Sequence, residues 1–173
     1  SDRRTRWSAL VVRCRAVGRL GVGLDNIDVP GCEARGMRVI PATGANALSV
    51  AEYVVTAALM LLRGAYASTP AVAGGQWPRT ALSSGREASG KTLGLIGCGG
   101  LGLWSLRVLG ATFPSIEQVF VSSRTGASRE AFCARMAQEG NWTLTPVSDP
   151  LRAVEDSDIV VSSMPPADVR PVS

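Results

Sequence analysis

Short apolar runs alternate with helical patterns in the second half of the chain. The predicted strands are residues 92–96, 118–121 and 159–161, with an edge strand at Leu144. The predicted helices between them are residues 103–109 and 129–139 and a short helix at Leu151 and Val154. Strands that alternate with helices in this way predict an α/β fold with a doubly wound parallel sheet. Only one half of a two-lobed fold follows Gly90, so we expect the fold to be incomplete.

The first half of the chain has shorter patterns. Its predicted elements are strand pieces at 9–12 and 16–17 (or a short helix followed by a strand), a helix near Val29, a strand at 36–40 and a longer helix over 47–64. In the longer helix, Ser49 and Glu52 have the spacing of a capping box, and Gly64 is predicted to end it. Because this helix is apolar nearly all round, we expect it to be deeply buried or to pack against a second subunit.

Three glycines follow the apolar run 92–96 in G-x-G-x-x-G spacing. They are Gly97, Gly99 and Gly102, and the candidate loop includes Gly100 and Leu101 between them. The first glycine permits a tight turn, the second leaves room for a pyrophosphate, and the third lets the helix pack closely on the strand. Amides at the start of the helix then hold the phosphate charge. With its flanking strands and helix, this motif predicts a Rossmann-like NAD(P)-binding domain; the alternative is a glycine-rich turn in another parallel α/β protein.

The end of the second strand predicts which dinucleotide binds. Ser122, Ser123, Arg124 and Thr125 stand there, with no carboxylate to accept hydrogen bonds from a ribose 2′-hydroxyl. Small hydroxyls and a guanidinium suit a 2′-phosphate, and Arg129 in the next helix adds positive charge. We therefore expect NADP(H) to be favoured over NAD(H). The alternatives are that Arg124 is a solvated loop arginine or stacks on the adenine.

Composition limits the class of protein. The chain of 173 residues is 46% hydrophobic with a formal charge of +4, so it can bury a core and accept an anionic cofactor. Its arginines are scattered, so we expect no nucleic-acid partner. Four cysteines without a C-x-x-C pair, and no histidine, predict no metal site and a cytoplasmic protein with reduced thiols. No signal peptide is recognised and no apolar run has the length of a membrane span, so we expect no membrane partner.

A change in composition suggests how the chain is divided. Residues 68–89 are rich in Gly, Ser, Pro and Thr, which indicates a linker or arm. We expect an N-terminal segment at 1–67, this linker at 68–89, and the dinucleotide-binding unit at 90–173.

Three segments together resemble the D-isomer-specific 2-hydroxyacid dehydrogenases, the family of phosphoglycerate, glycerate and formate dehydrogenases. They are GRLGVGLDNID at 18–28, TGANALSVAEY at 43–53 and GREASGKTLGLIGCGGLG at 85–102, in the order and spacing of the family. The resemblance implies hydride transfer between a nicotinamide and a small-molecule 2-hydroxy or 2-keto acid. It also implies that amides of Val22 and Gly23 hold the substrate carboxylate and that Asn46 lies beside the substrate. From the residues alone, a turn that leads into the next helix is favoured for the glycine-dense loop, and Asn46 is equally a helix cap.

The chain departs from the family pattern in two places. Tyr53 replaces the histidine that usually ends the SVAEH motif, and the family's catalytic arginine, glutamate and histidine would follow the last residue. We therefore assign no catalytic residue and expect no turnover by this chain alone, because it has no proton-transfer pair. We also expect a homodimer through the 47–64 helix and the arm that follows.

From about Gly102 onward the sequence resembles a second family, the ornithine cyclodeaminases and mu-crystallins. The resemblance rests on SSRT at the end of the second strand and on AVEDSDIVVSSMPP after residue 152. It implies, as an alternative, a cyclodeaminase-like or imine-reducing activity. A catalytically silent dinucleotide-binding protein is a third possibility, and a fragment, a composite or a divergent relative all remain open.

Overall fold

The computed structural model describes residues 14–21, 23–24 and 26–164. They form two compact units, with the division between Asn46 and Ala47. The predicted division into 1–67, 68–89 and 90–173 remains a prediction, and the strand piece predicted at 9–12 lies outside the described residues.

The first unit is built around two parallel strands. Its elements are β1 (Ala16–Arg19), α1 (Val29–Glu33) and β2 (Arg38–Pro41). The strands pair in register from Ala16 opposite Arg38. The carboxylate of Asp28 caps α1 by accepting a hydrogen bond of 3.1 Å from the Gly31 amide. The predicted strands at 16–17 and 36–40 and the helix near Val29 are confirmed.

The second unit contains a four-stranded sheet. Its strands are β3 (Leu93–Ile96), β4 (Gln118–Ser122), β5 (Thr143–Val147) and β6 (Ile159–Ser162), in the order β5-β4-β3-β6, and every pair is parallel. Its helices are α2 (Ala47–Arg63), α3 (Ala65–Ala73), α4 (Arg79–Ser83), α5 (Gly100–Thr112), α6 (Gly126–Met136) and α7 (Pro150–Glu155). This arrangement confirms the predicted α/β fold, with β5 at an edge. Because the chain returns from β5 past β4 and β3 to reach β6, the strand order reverses between β3 and β6.

The core of this unit lies between the central strands and α5. Leu93 and Leu95 are fully buried, and so are Leu106 and Leu109 on the inner face of α5. Burial of one such leucine side chain contributes about 1.5–3 kcal/mol. Gly94 occupies a strand position where a side chain would collide with the Ala153 carbonyl of α7. The central strand β3 and the helix α5 that follows it therefore both contribute fully buried side chains to one core.

Helix α2 begins at Ala47, the first residue of the predicted range 47–64. Ser49 and Glu52 therefore both lie inside it, and the capping box predicted at the start of the helix is wrong. The turn at 43–46 already brings the chain into the helix before Ser49 is reached. Gly64, at φ 65°, ends the helix as predicted.

Only one face of α2 is buried. Ala51 and Leu62 lie in the core, whereas Tyr53 is 72% exposed and Leu61 is 81% exposed. Among the described residues, α2 is therefore not buried on all sides, and the alternative expectation, packing against a second subunit, remains a prediction.

The segment 68–89 is not irregular throughout. It contains most of α3 and all of α4, because alanine-rich stretches form short helices between the turn residues. After α4 the chain returns to the end of α2, where the Arg86 amide donates a 2.8 Å hydrogen bond to the Leu62 carbonyl. Ala88 is buried in the core.

Across the residues described, no single helix has both the length and the apolar character needed to span a membrane. Helices α2 and α3, bent by 67° at Gly64, meet that test of length and composition only as a pair.

Candidate dinucleotide-binding site

The glycine loop connects β3 to α5 by a turn that requires glycine. Gly97 has φ 115°, a conformation that L side chains rarely adopt. Its amide donates a 2.8 Å hydrogen bond to the carbonyl of Ser122, at the end of β4. The predicted tight turn is confirmed, and it is tied to the neighbouring strand.

The space in front of α5 is open. Gly99 and Gly100 are exposed, and a Cβ added at either position would meet no atom within 4 Å. Gly99 is extended (φ −80°, ψ −172°), and no side chain caps the helix there. The first amides of α5 and the positive end of its dipole therefore face a space that an anion can enter.

Gly102 lies on the side of the loop that faces the protein interior, away from the open space at Gly99 and Gly100. It is buried, and a Cβ at this position would collide with the carbonyl oxygen of Gly97. Gly102 therefore allows the start of α5 to approach the turn at Gly97 closely, while the motif predicts close packing of the helix on the strand. Leu101, which completes the predicted loop, is half-buried in the first turn of α5.

Ser163 directly follows β6, which pairs with β3 on the side away from β4, and it contacts the glycine loop from that side. Its amide donates to the Ile96 carbonyl at 2.8 Å, and its hydroxyl lies 3.5 Å from the Gly97 carbonyl. We did not identify this residue from the sequence. The signal was present, because the carboxyl ends of neighbouring parallel strands meet at one edge of a sheet.

The last residue of β4 and the three residues that follow it have different environments. Ser122 is 2% exposed, so its hydroxyl is not at the surface, whereas Arg124 and Thr125 are exposed. The hydroxyl of Ser123 donates to the Thr125 carbonyl at 3.0 Å. The hydroxyl of Thr125 accepts a 3.3 Å hydrogen bond from the Ser128 amide. This cap starts α6 at Gly126, earlier than the predicted start at 129.

Two thiols lie close to this region. Burial raises the pKa of Cys98, and the Ser123 hydrogen bond and the charge of Arg129 oppose that effect. Burial is also the main cause that raises the pKa of Cys133. Both thiols are therefore expected to stay protonated at neutral pH and to be poor nucleophiles. The described part of the chain has no cluster of three or more His, Cys, Asp or Glu side chains that could hold a metal.

The residues assigned to the substrate belong to the first unit. Gly23 lies in the exposed loop after β1, where its carbonyl accepts a 3.1 Å hydrogen bond from Arg19 Nε. Asn46 is exposed and immediately precedes α2. Val22 lies outside the described residues. Gly23 and Asn46 each follow a strand of the same parallel pair, and their role in substrate binding remains a prediction.

A groove of about 400 Å³ lies elsewhere in the second unit, between α2 and β6. Its walls include Tyr53, Leu61, Arg86, Asp158 and Val160. None of the predicted site residues lines it.

A parallel sheet with a glycine turn at its centre and an open helix start is the arrangement of a nucleotide-binding α/β domain. The model of the D-isomer specific 2-hydroxyacid dehydrogenase catalytic domain matches residues 8–141. The chain belongs to this family of oxidoreductases, whose members bind nicotinamide dinucleotides. The resemblance of the second half to ornithine cyclodeaminases remains a prediction.

Curated relatives match about half of the chain. The chain is 63% identical over 87 residues to (S)-sulfolactate dehydrogenase of Chromohalobacter salexigens, which is 50% of this chain and 28% of the relative. It is 42% identical over 88 residues to hydroxypyruvate reductase of Thermotoga maritima, 51% of this chain and 28% of the relative. The chain thus spans less than a third of the length of these proteins.

Solved structures share the fold over most of the chain. A glyoxylate reductase from Paecilomyes thermophila superposes with a TM-score of 0.68 and 25% identity, covering 93% of this chain and 45% of that one. NAD-dependent formate dehydrogenase from Staphylococcus aureus, in complex with NAD, gives a TM-score of 0.63 and 24% identity, covering 87% and 41%. These structures are therefore more than twice as long as the part that this chain matches.

Proposed function

We propose that this chain is the dinucleotide-binding part of a D-2-hydroxyacid dehydrogenase and binds its cofactor at the loop 97–102. One observation carries the proposal, the open space at Gly99 and Gly100 in front of α5. The pyrophosphate would lie there, held by the first amides of the helix. When bound, the nicotinamide supplies the hydride chemistry, and the residues of this chain bind and orient it.

The proposed substrate is a small-molecule 2-hydroxy or 2-keto acid. Family membership and the two curated relatives support this class. Amides of Val22 and Gly23 would hold the carboxylate, with Asn46 beside it. We assign no catalytic residue, and we expect the chain alone not to turn over such acids because it has no identified proton-transfer pair.

Calorimetric titration with NADH and NADPH tests the dinucleotide site. Gly99→Val places a side chain in the open space, so we expect it to abolish measurable binding. Its cost in stability should stay within about 1 kcal/mol, because the added Cβ meets no protein atom within 4 Å and valine is only a poorer N-cap than glycine. Ala111→Val is the matched control, because it adds bulk at an exposed position near the other end of the same helix. Equal affinities in the wild type and Gly99→Val would contradict the proposal.

We further propose that NADP(H) is favoured over NAD(H). An exposed guanidinium at Arg124 and the absence of a carboxylate at 122–125 support this preference. Arg124→Ala should reduce the preference for NADPH by roughly 1–3 kcal/mol, the range for a hydrogen bond to a charged group. Fluorescence titrations at fixed salt measure it, with Arg152→Ala, another exposed arginine, as the control. Tighter binding of NADH by the wild type would overturn the assignment.

The homodimer is proposed to form through α2 and the arm after it. Exposed apolar side chains on these helices, including Tyr53, Leu61 and Tyr66, support it. Leu61→Asp should shift the mass in sedimentation equilibrium to that of a monomer. Leu151→Asp, at an exposed leucine on α7, should not. A monomeric wild type at all concentrations would refute the proposal.

A further inference from the structure

Arg129 connects helix α6 to the loop that follows β4. Its Nη1 atom donates a 3.2 Å hydrogen bond to the carbonyl oxygen of Ser123, and this bond is partly buried. The side chain also lies over the start of its own helix, where a Cβ added to Gly126 would be 3.7 Å from Nη2. The sequence alone indicates for this arginine only a positive charge near a phosphate. In the structure, part of its guanidinium is used to hold the backbone.

The carbonyl of Ser123 belongs to the peptide plane that joins Ser123 to Arg124. Because the peptide is planar, a hydrogen bond that fixes this carbonyl also fixes the direction in which the backbone enters Arg124. The ends of the loop have their own bonds, from the Gly97 amide to the Ser122 carbonyl and from the Ser128 amide to Thr125. The peptide between these ends is the one that Arg129 holds.

We infer that Arg129 is a positioning residue, which sets the direction of Arg124 at the place where a 2′-phosphate would lie. The inference rests on the proposed preference for NADP(H). A guanidinium suits this role because its rigid, planar set of donors can hold a carbonyl in a fixed direction. The contribution of Arg129 to NADPH binding therefore passes through Arg124.

A double-mutant cycle separates this role from two others. Arg129→Ala should weaken NADPH binding roughly tenfold, because a misdirected Arg124 would lose one hydrogen bond to the charged 2′-phosphate. The affinity for NADH should change less than about twofold. In the Arg124→Ala background, the same substitution should add less than about twofold, because the residue that it positions is gone. Arg129→Lys keeps the charge but not the planar fork, so we expect it to restore only a small part of the affinity.

Three results in that cycle would overturn the inference. Equal weakening of NADH and NADPH would indicate a role in the stability of the fold alone. Additive losses in the Arg124→Ala background would indicate that Arg129 contacts the phosphate itself. Full recovery of the NADPH affinity in Arg129→Lys would show that binding depends on the positive charge at this position and not on the hydrogen bond to the Ser123 carbonyl.

Hydrogen exchange of the cofactor-free protein separates the failure of this inference from that of the proposed function. Peptides that contain residues 122–128 should exchange faster in Arg129→Ala than in the wild type and unchanged in Arg135→Ala, another arginine of α6. Unchanged exchange in Arg129→Ala overturns the positioning role whichever cofactor binds. A wild type that prefers NADH, together with faster exchange in Arg129→Ala, overturns the NADP(H) assignment and leaves the hold of Arg129 on the loop supported.

Discussion

Two glycines in the same loop should respond in opposite ways to one added methyl group. At Gly102 the new Cβ would collide with the carbonyl oxygen of Gly97, whereas at Gly100 it would meet no atom within 4 Å. Both residues lie in the first turn of α5, and neither has a positive φ. The pair Gly102→Ala and Gly100→Ala therefore isolates the close contact between helix and turn.

The magnitude follows from the atoms that meet. Overpacking costs about 1–3 kcal/mol, and the upper part of this range applies because Cβ and the Gly97 oxygen are both fixed to backbone. Replacement of glycine by alanine in a helix offsets about 1 kcal/mol of that cost. Gly102→Ala should thus lose about 2 kcal/mol and about 4–8 °C in Tm. Gly100→Ala should gain up to about 1 kcal/mol, less than in a helix interior because it is the first helical residue.

Urea unfolding followed by tryptophan fluorescence, with a reductant to protect the free thiols, measures both effects. The midpoint should fall for Gly102→Ala and stay or rise for Gly100→Ala, with similar slopes. Equal midpoints for the two variants, or a Gly102→Ala protein as stable as the wild type, would show that helix and turn are not in the close contact described.

Three further outcomes are expected. Leu106→Ala should cost about 2–5 kcal/mol in urea unfolding because Leu106 is fully buried, while Leu48→Ala, at a half-exposed leucine, should stay within about 0.5 kcal/mol. The hydrogen bond that the Thr92 amide donates to Asp158, with help from Lys91, lowers the pKa of this carboxyl. Ionised Asp158 therefore stabilises the folded protein above the unfolded pKa of about 3.9, and this stabilisation is lost as the pH falls through the folded pKa. The free energy of unfolding of Asp158→Asn should depend less on pH below about 4 than that of the wild type. Because burial raises the pKa of Cys98, its alkylation by iodoacetamide, followed by mass spectrometry, should begin at higher pH than that of a cysteine peptide; alkylation at the same pH would contradict this.

The sheet was predictable because each of these strands corresponds to a run of apolar residues that are consecutive in the sequence. Residues 93–96, 118–121 and 159–161 are mostly apolar runs next to turn residues, a pattern that predicts strands of a parallel sheet, although Val160 in the third run is 40% exposed. The turn at Gly97 and the close contact at Gly102 were predictable for a similar reason, since the spacing of the glycines encodes them.

Helix starts and the support of the site were less predictable. Ser49 and Glu52 match a capping box, but the preceding turn had already started α2 at Ala47. Thr125 caps α6 from inside the segment that was assigned to the cofactor. The bond of Ser163 depends on which strands are neighbours, and a one-dimensional pattern does not contain that information. The bond from Arg129 to Ser123 spans only six residues, but it depends on how the loop after β4 turns back towards α6, which no residue pattern in that segment encodes.

The strand order explains why cofactor binding and cofactor preference should be separable. The loops after β3, β4 and β6 meet at one edge of the sheet, as the bonds of Gly97 to Ser122 and of Ser163 to Ile96 record. In the proposed site, the central loop, with Gly99 at the start of α5, faces the part that all nicotinamide dinucleotides share, their pyrophosphate. The loop after β4 is the position at which dinucleotide-binding folds of this kind place the groups that distinguish a 2′-hydroxyl from a 2′-phosphate. A change at Gly99 should therefore affect NADH and NADPH alike, whereas changes at Arg124 or Arg129 should affect mainly the difference between them.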